Sequence, residues 1–145
     1  PAFDLPRDGG GNINLDSLKG QNVVLYFYPR DDTTGCTKEA IGFTENADAF
    51  AAANTVVLGV SKDSIKKHDK FRDKHGLGVA LLSDEDSDVC ERYGVWVEKS
   101  MYGKTYMGIE RATYLIDATG KIAQVWRKVK VPGHVEAVLE AAQGL

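Results

Sequence analysis

The sequence predicts an α/β fold in which a central mixed sheet is flanked by helices. In the first part of the chain, apolar β-branched runs alternate with helical segments, which indicates parallel strand pairing. Two further strands are then joined by a tight turn at residues 117–120, which indicates an antiparallel edge. No internal repeat, low-complexity segment or linker interrupts the 145 residues. We therefore expect a single domain over residues 1–145.

Several apolar runs have the composition of strands. Residues 23–28 and 55–60 are rich in valine, leucine and aromatic side chains, and residues 79–82 form a shorter run of the same kind. Residues 111–116 and 121–126 flank the tight turn and carry further apolar residues. Runs of this length and composition are typical of buried strands.

Helical segments separate these strands. Residues 37–53 contain no proline and are rich in alanine, glutamate, aspartate and phenylalanine, which favours a helix. The later helices are predicted from capping residues and from glycine or proline at their ends. The first of them covers residues 64–74, with a cap at Asp63 or Ser64. The second follows an acidic cap at residues 83–86 and ends near Tyr93. The third follows Pro132 and covers residues 134–143.

The remaining segments are predicted as turns and loops. The glycine-rich residues 9–12 indicate the turn of a hairpin within residues 1–21, and residues 98–110 form a loop that carries glycine and tyrosine. The resulting order is β-α-β-α-β-α, then two hairpin strands, then a helix. This is a thioredoxin-like arrangement with an extra helix and strand inserted.

Composition excludes several classes of protein. The net charge of −3 provides no basic surface for nucleic acid, and no apolar run approaches the roughly 20 residues of a membrane span. No charged-then-apolar leader is recognisable. Two cysteines are too few for a disulfide scaffold, so we expect a reducing compartment and a cytoplasmic protein.

One of the two cysteines, Cys36, lies where a predicted strand gives way to a helix. A thiol with an unperturbed pKa near 8.5 is only about 3% ionised at pH 7, so a nucleophilic cysteine needs a stabilising charge. The first turn of a helix supplies unpaired N–H groups and the positive end of the dipole. The alternative is a buried cysteine that acts as a small hydrophobic residue, but its neighbours Asp31, Thr34 and Thr37 are polar, which favours a reactive thiol.

The residues around Cys36 resemble those of the peroxiredoxin family. Pro29, Thr33 and Cys36 match the spacing of its signature, and residues 28–40 resemble the bacterioferritin comigratory protein or peroxiredoxin Q subfamily. Thr34 replaces a common proline. Further matches fall at residues 82–86, 93–96 and 111–117, so the resemblance covers essentially the whole chain.

The resemblance implies a thioredoxin-like fold with peroxiredoxin insertions, and it assigns roles within the site. Cys36 is the peroxidatic cysteine, Pro29 ends the strand and shields the site, and the Thr33 hydroxyl orients the peroxide. Arg111 donates to the peroxide oxygens, and the N–H groups of Gly35 and Cys36 complete the donor array. Taken alone, Thr33 is equally typical of a helix cap and Arg111 of a surface ion pair.

We therefore predict a thiol peroxidase that reduces hydrogen peroxide and organic hydroperoxides without metal, haem or flavin. The implied partners are thioredoxin, glutaredoxin or a small thiol, and the implied assembly is a monomer. The alternatives are a thiol–disulfide oxidoreductase, which would normally carry a Cys-x-x-Cys pair that is lacking here, and a non-enzymatic redox sensor. The sequence further suggests that Arg111 and Thr33 act on reactivity and contribute little to stability.

The route by which the oxidised cysteine is resolved departs from the family patterns. One common position of a resolving cysteine is Ile41 here, and a second corresponds to Arg72. Cys90 is the only other thiol, and its neighbours suggest a helix face turned towards the core. We favour a one-cysteine cycle recycled by an external thiol, with Cys90 as an intramolecular resolver as the alternative.

Several other side chains are weaker candidates for a functional role. Glu39 is favoured as a capping or supporting residue over a proton shuttle. His68 and His75 offer too few ligands for a metal site, and no motif supports a Cys–His hydrolase pair with either of them or with His134. Two further groups are predicted from composition. The side chains predicted to lie in the core or in a pocket wall are those of Trp96, Tyr102, Tyr106 and Met107. The side chains predicted to lie on a solvated helix face are those of Lys66, Lys67, Lys70 and Arg72.

Overall fold

A computed structural model describes residues 2–145 and has the expected mixed α/β architecture. The elements, in chain order, are β1 (Asp4–Pro6), β2 (Asn12–Asn14), a short 3-10 helix (Leu15–Leu18), β3 (Asn22–Phe27), α1 (Thr34–Glu45), α2 (Ala47–Ala52), β4 (Thr55–Ser61), α3 (Ile65–His75), β5 (Ala80–Ser83), α4 (Val89–Arg92), β6 (Trp96–Met101), β7 (Lys104–Ile109), β8 (Ala112–Ile116), β9 (Ile122–Trp126) and α5 (His134–Gln143). None of the helices in this described part is both long and apolar enough to cross a membrane.

The central sheet has the strand order β5-β4-β3-β8-β9. β3 pairs in parallel with β4, and β4 with β5, as the alternation of strands and helices predicts. β3 and β8 pair in antiparallel fashion, and so do β8 and β9. The antiparallel edge predicted from the tight turn at residues 117–120 is therefore confirmed.

The sheet separates two apolar layers. Every residue of β3 is buried, which explains the continuous apolar run that marks this strand in the sequence. Successive side chains of a strand point to opposite faces, so Val23, Leu25 and Phe27 enter one layer while Val24 and Tyr26 enter the other. We call these the Cys90 layer and the Cys36 layer after the cysteine that each contains.

The predicted loop at residues 98–110 is wrong, because this segment forms most of a second hairpin, β6–β7. Its two-residue turn is Tyr102–Gly103, where both residues have positive φ (53° and 76°), the backbone that a tight hairpin turn requires. Tyr102, Tyr106 and Met107 are exposed on this hairpin and do not belong to the core. Its strands escaped detection because most of their side chains face solvent and lack the apolar pattern of buried strands.

The helix predicted over 37–53 is two helices and begins earlier. α1 starts at Thr34, directly after Thr33, and ends at Glu45. Asn46 then separates α1 from α2, and its side-chain Nδ2 donates to the carbonyl of Gly42 at 2.8 Å. Asparagine competes with backbone hydrogen bonds in this way, which explains a break that helix propensity alone does not indicate.

Candidate active site

Cys36 is the third residue of α1 and lies at the positive end of that helix. The first helical hydrogen bond runs from the amide of Thr37 to the carbonyl of Thr33, at 2.8 Å. The amides of Thr34, Gly35 and Cys36 therefore have no acceptor within the helix. The Cys36 side chain is 1% exposed and packs into the Cys36 layer. The predicted junction between strand and helix is confirmed.

Strand pairing brings Arg111 to Cys36. Ala112, the first residue of β8, lies opposite Phe27, the last residue of β3. Arg111 is thereby held next to the loop that leads into α1. Its Nη2 donates to Cys36 Sγ at 3.1 Å, and its Nη1 donates to Glu39 Oε1 at 2.6 Å. One guanidinium thus contacts both the sulfur and a carboxylate.

Glu39 is fully buried and is not a capping residue. It lies one turn after Cys36, and the only ion pair shorter than 4.0 Å that it makes within residues 2–145 is the one with Arg111. Burial raises the pKa of its carboxyl to about 7, although the charge of Arg111 opposes the shift. Its second oxygen, Oε2, has no hydrogen-bond partner and lies 4.0 Å from His134 Nε2.

The raised pKa of Glu39 has a consequence for stability. A carboxyl with a folded pKa near 7 and an unfolded value of 4.5 stabilises the fold below about pH 4.5, and this contribution is lost as the pH rises through 7. Between these two pH values the protein loses on the order of 3 kcal/mol of unfolding free energy through this group. We expect Glu39→Gln to remove this loss, so that urea denaturation at pH 5 and pH 8 gives more similar stabilities than in the wild type. Glu45→Gln, at an exposed position of the same helix, is the control. If the stability of Glu39→Gln depended on pH as strongly as that of the wild type, the raised pKa could not be assigned to Glu39.

His134 lies behind Glu39, a placement that the sequence does not reveal. Its Nε2 is joined by a 2.8 Å hydrogen bond to Thr113 Oγ1, in β8. Burial, followed by the charge of Arg111, lowers the pKa of His134 to about 4, so this imidazole is neutral at pH 7. No local motif marks it, because its partners lie far away in the sequence.

The other predicted site residues surround the loop before α1. Pro29 is half-buried just after β3, as expected of a residue that ends the strand. Thr33 occupies the N-cap position but makes no side-chain capping bond, and its hydroxyl donates to the carbonyl of Arg30 at 3.1 Å. A Cβ on Gly35 would lie 3.2 Å from Arg111 Nη2, so the absence of a side chain there leaves room for the guanidinium.

A buried histidine anchors the same loop. Asp31 accepts from the Tyr28 hydroxyl at 2.6 Å and lies 2.6 Å from His68 Nδ1. The second nitrogen of His68 lies 2.8 Å from the carbonyl of Leu82. Asp63 completes a cluster of possible metal ligands with Asp31 and His68, but both nitrogens of His68 are already engaged within the protein. This geometry therefore favours a loop anchor over a metal site.

Cys90 lies on the opposite side of the sheet from Cys36. It is fully buried in α4 within the Cys90 layer, and both cysteines are free thiols. Burial raises the pKa of the Cys90 thiol, and the nearby Asp84 carboxylate raises it further. Asp84, within the predicted cap 83–86, accepts from the amides of Val89 and Cys90, although the N-cap position of α4 is Asp88.

Comparison with known proteins agrees with the geometry. The AhpC/TSA family model matches residues 1–125. A putative peroxiredoxin Bcp of Coxiella burnetii is 56% identical over 96% of this chain and 92% of its own, and peroxiredoxin Bcp of Bacillus subtilis is 45% identical over 100% and 92%.

Solved structures give the same result. The bacterioferritin comigratory protein of Xanthomonas campestris superimposes with a TM-score of 0.93 at 44% identity, covering 98% of this chain and 90% of its own. The Mycobacterium tuberculosis peroxidoxin BcpB has a TM-score of 0.87 at 32% identity, over 100% and 94%. The chain therefore belongs to the AhpC/TSA family and is a thiol peroxidase of the Bcp/peroxiredoxin Q group, with a thioredoxin fold, a peroxide substrate and a thiol reductant.

Proposed function

We propose that Cys36 is the peroxidatic cysteine of a one-cysteine cycle in which an external thiol reduces the oxidised sulfur. The observation that carries the proposal is the contact between Arg111 Nη2 and Cys36 Sγ at the start of α1. A guanidinium and unpaired helix amides around one sulfur form an environment that favours a thiolate over a thiol.

The first step is the oxidation of the sulfur. The Cys36 thiolate attacks the terminal oxygen of the hydroperoxide, and the O–O bond breaks as the S–O bond forms. The electron pair leaves on the second oxygen, which takes up a proton to become water or an alcohol. Cys36 is then a sulfenic acid. The reaction uses only the sulfur as its redox centre.

The polar groups around the sulfur stabilise the charge that moves during this step. Arg111 keeps N–H donors beyond the two it gives to Cys36 and Glu39, and these bind the peroxide oxygens. The amides of Gly35 and Cys36 add donors at the helix start. The Thr33 hydroxyl turns from the carbonyl of Arg30 towards the peroxide when substrate binds.

The substrate and the setting follow from the relatives and the chemistry. The Xanthomonas protein has alkyl peroxide reduction activity, which supports organic hydroperoxides as substrates alongside hydrogen peroxide. Recycling by thioredoxin, glutaredoxin or glutathione requires a reducing compartment, and this favours the cytoplasm. A monomer with one catalytic domain suffices, because Cys36, Arg111 and Glu39 come from a single chain.

The second half of the cycle relies on an external thiol, because the chain offers no suitable resolving cysteine. The two positions that carry a resolving cysteine in related patterns hold Ile41 and Arg72, and Arg72 pairs with Asp8 at 3.1 Å. Cys90 lies in the other apolar layer, and a disulfide requires Cα atoms within about 7 Å. The external thiolate attacks the Cys36 sulfur, hydroxide leaves as water after protonation, and a second thiol then releases Cys36 from the mixed disulfide.

Intact mass after one equivalent of peroxide tests the one-cysteine cycle. We expect wild-type protein to gain one oxygen, trappable by dimedone on Cys36, because no second thiol reaches the sulfenic acid. Cys90→Ser should retain at least about half of the wild-type turnover, since a buried thiol that takes no part in the cycle is replaced by a small isostere. A loss of two hydrogens, a Cys36–Cys90 cross-linked peptide and an inactive Cys90→Ser would establish the two-cysteine alternative.

A further inference from the structure

The β6–β7 hairpin carries a concentration of exposed apolar side chains. The two strands form a sheet of their own, outside the central sheet. Near the hairpin end, the exposed large apolar residues are Met101 (56%), Tyr102 (97%), Tyr106 (45%) and Met107 (49%). Exposed apolar clusters of this kind mark surfaces that bind partners.

The two faces of the hairpin differ in charge. Residues directly opposite each other in an antiparallel pair share a face. Lys99 lies opposite Tyr106, and Met101 opposite Lys104, so one face is apolar and positively charged. We call it the cationic face; it consists of Val97, Lys99, Met101, Lys104 and Tyr106. The opposite face carries Glu98 paired with Met107.

The opposite face is turned towards the Cys90 layer. Trp96 and Ile109 are a facing pair on it, and Ile109 is buried in that layer while Trp96 packs against it. The alternation of side chains along a strand therefore turns the cationic face to the other side of the hairpin. The hairpin adjoins the active site at its base, since β7 ends at Ile109, two residues before Arg111, whose Nη2 contacts Cys36 Sγ.

Lys99, on the cationic face, is subject to the charges of the active site. It is half-buried, and its pKa is lowered first by burial and then by the charge of Arg111, while Cys36 and Glu110 oppose the shift. A Cβ on Gly108 would lie 3.2 Å from Lys99 Cδ and 3.4 Å from Tyr106 Cε2, so both side chains lie over this glycine. Within residues 2–145, Lys99 has no carboxylate within 4.0 Å.

The one-cysteine cycle requires a second molecule to approach Cys36 from outside the chain. The Cys36 side chain is 1% exposed, and Cys90 lies across the sheet. A thiol that attacks the sulfenic acid must therefore come from another molecule, and the hairpin is an exposed segment that leads directly into Arg111 beside the sulfur. A free small thiol can diffuse to the sulfur, whereas a protein thiol must rest on the surface around Arg111 and Cys36.

We propose that the cationic face is the docking surface of a protein thiol reductant whose reactive cysteine is flanked by an apolar patch and a carboxylate. The apolar patch covers Tyr106 and Met101, and the carboxylate pairs with Lys99 or Lys104. This inference rests on the proposed external-thiol cycle. Charge complementarity favours an acidic partner on this face although the whole chain has a net charge of −3.

A matched pair of variants on one strand tests the docking surface. Tyr106→Ala removes an aromatic side chain from the cationic face, and Met107→Ala removes the adjacent, similarly exposed side chain from the opposite face. Turnover is measured with thioredoxin, kept reduced by its reductase and NADPH, and separately with dithiothreitol. We expect Tyr106→Ala to raise the KM for thioredoxin about tenfold, while Met107→Ala leaves it unchanged. Dithiothreitol turnover and the first oxidation by peroxide should be unchanged in both.

Charge reversal provides a second, independent measurement. Lys104→Glu should raise the KM for thioredoxin and weaken its dependence on salt, because a steering charge is reversed. Lys121→Glu makes the same change on the exposed residue before β9 and should have little effect.

Four outcomes separate the docking proposal from the cycle on which it rests. An unchanged KM in Tyr106→Ala, or an equal rise in Met107→Ala, would overturn the docking surface. Wild-type turnover by glutathione and not by thioredoxin or glutaredoxin would also overturn it, while the one-cysteine cycle would stand. Failure of the wild type to turn over with any thiol would contradict the proposed function itself.

Discussion

Replacing Cys36 with serine is expected to abolish peroxidase turnover, with a loss of at least about 1,000-fold, because the hydroxyl is a far weaker nucleophile than a thiolate at neutral pH. Serine fits the same space and accepts the hydrogen bond from Arg111 Nη2 that the sulfur accepts now. The fold should therefore persist. Peroxide consumption with a thiol reductant, together with circular dichroism and a thermal melt, measures both properties.

Cys90→Ser is the matched control for this experiment. It makes the same chemical change in the other apolar layer, so loss of activity in Cys36→Ser alone would locate the reactive sulfur. A folded Cys36→Ser protein that kept even a tenth of wild-type turnover would exclude Cys36 as the peroxidatic residue.

The central sheet was predictable because burial leaves a mark on the sequence. β3 and β4 are buried on both faces between the two apolar layers, so their residues form continuous apolar runs that identify them without structural information. The start of α3 was predictable for a local reason, since the Ser64 hydroxyl accepts from the amide of Lys67. These features depend on neighbours in the sequence.

The active site was predictable only in part. The polar surroundings of Cys36 indicated a reactive thiol, but the contact with Arg111 spans 75 residues and was expected only from resemblance to a family. The role of Glu39 depends on its complete burial, and His134 reaches Thr113 across 21 residues. The contact of Arg111 with Cys36 arises from the pairing of β8 with β3, which no local pattern encodes.

The sequence does not predict the β6–β7 hairpin, because most side chains of its strands are exposed. Its strands carry exposed charged and apolar residues in mixed order, because both faces near its end are open to solvent. A surface selected for binding does not show the pattern of a surface selected for burial. The failure to predict β6 and β7 is therefore consistent with a hairpin that serves a partner.

Arg111 links reactivity to stability through its two contacts. One guanidinium donates to the nucleophilic sulfur and to a buried carboxylate, so its removal affects both. The sequence alone suggests that Arg111 contributes little to stability, but the buried contact with Glu39 changes that expectation. Breaking a buried ion pair by deleting one partner leaves the other charge without compensation.

We expect Arg111→Met to slow the oxidation of Cys36 by peroxide about 100-fold, the effect of removing one preorganised donor from developing charge. Stopped-flow oxidation measures this rate, and Arg92→Met, which removes an exposed arginine from α4, is the control. An unchanged rate in Arg111→Met would remove Arg111 from the site. The same variant should lose stability at pH 8, on the order of 3 kcal/mol, because without the guanidinium Glu39 must either bury an unpaired charge or hold a proton that the unfolded chain releases. At pH 5 the loss should be smaller, since the raised pKa of Glu39 keeps this carboxyl neutral.

The double variant Arg111→Met with Glu39→Gln separates the two effects. Glutamine carries no charge that requires a partner, so urea denaturation at pH 8 should show most of the lost stability restored. The oxidation rate should stay about as low as in Arg111→Met, because the donor to the sulfur and the peroxide is still missing. If the double variant recovered the rate along with the stability, the slow oxidation of the single variant would be a consequence of a disordered site, and Arg111 would have no direct part in the reaction.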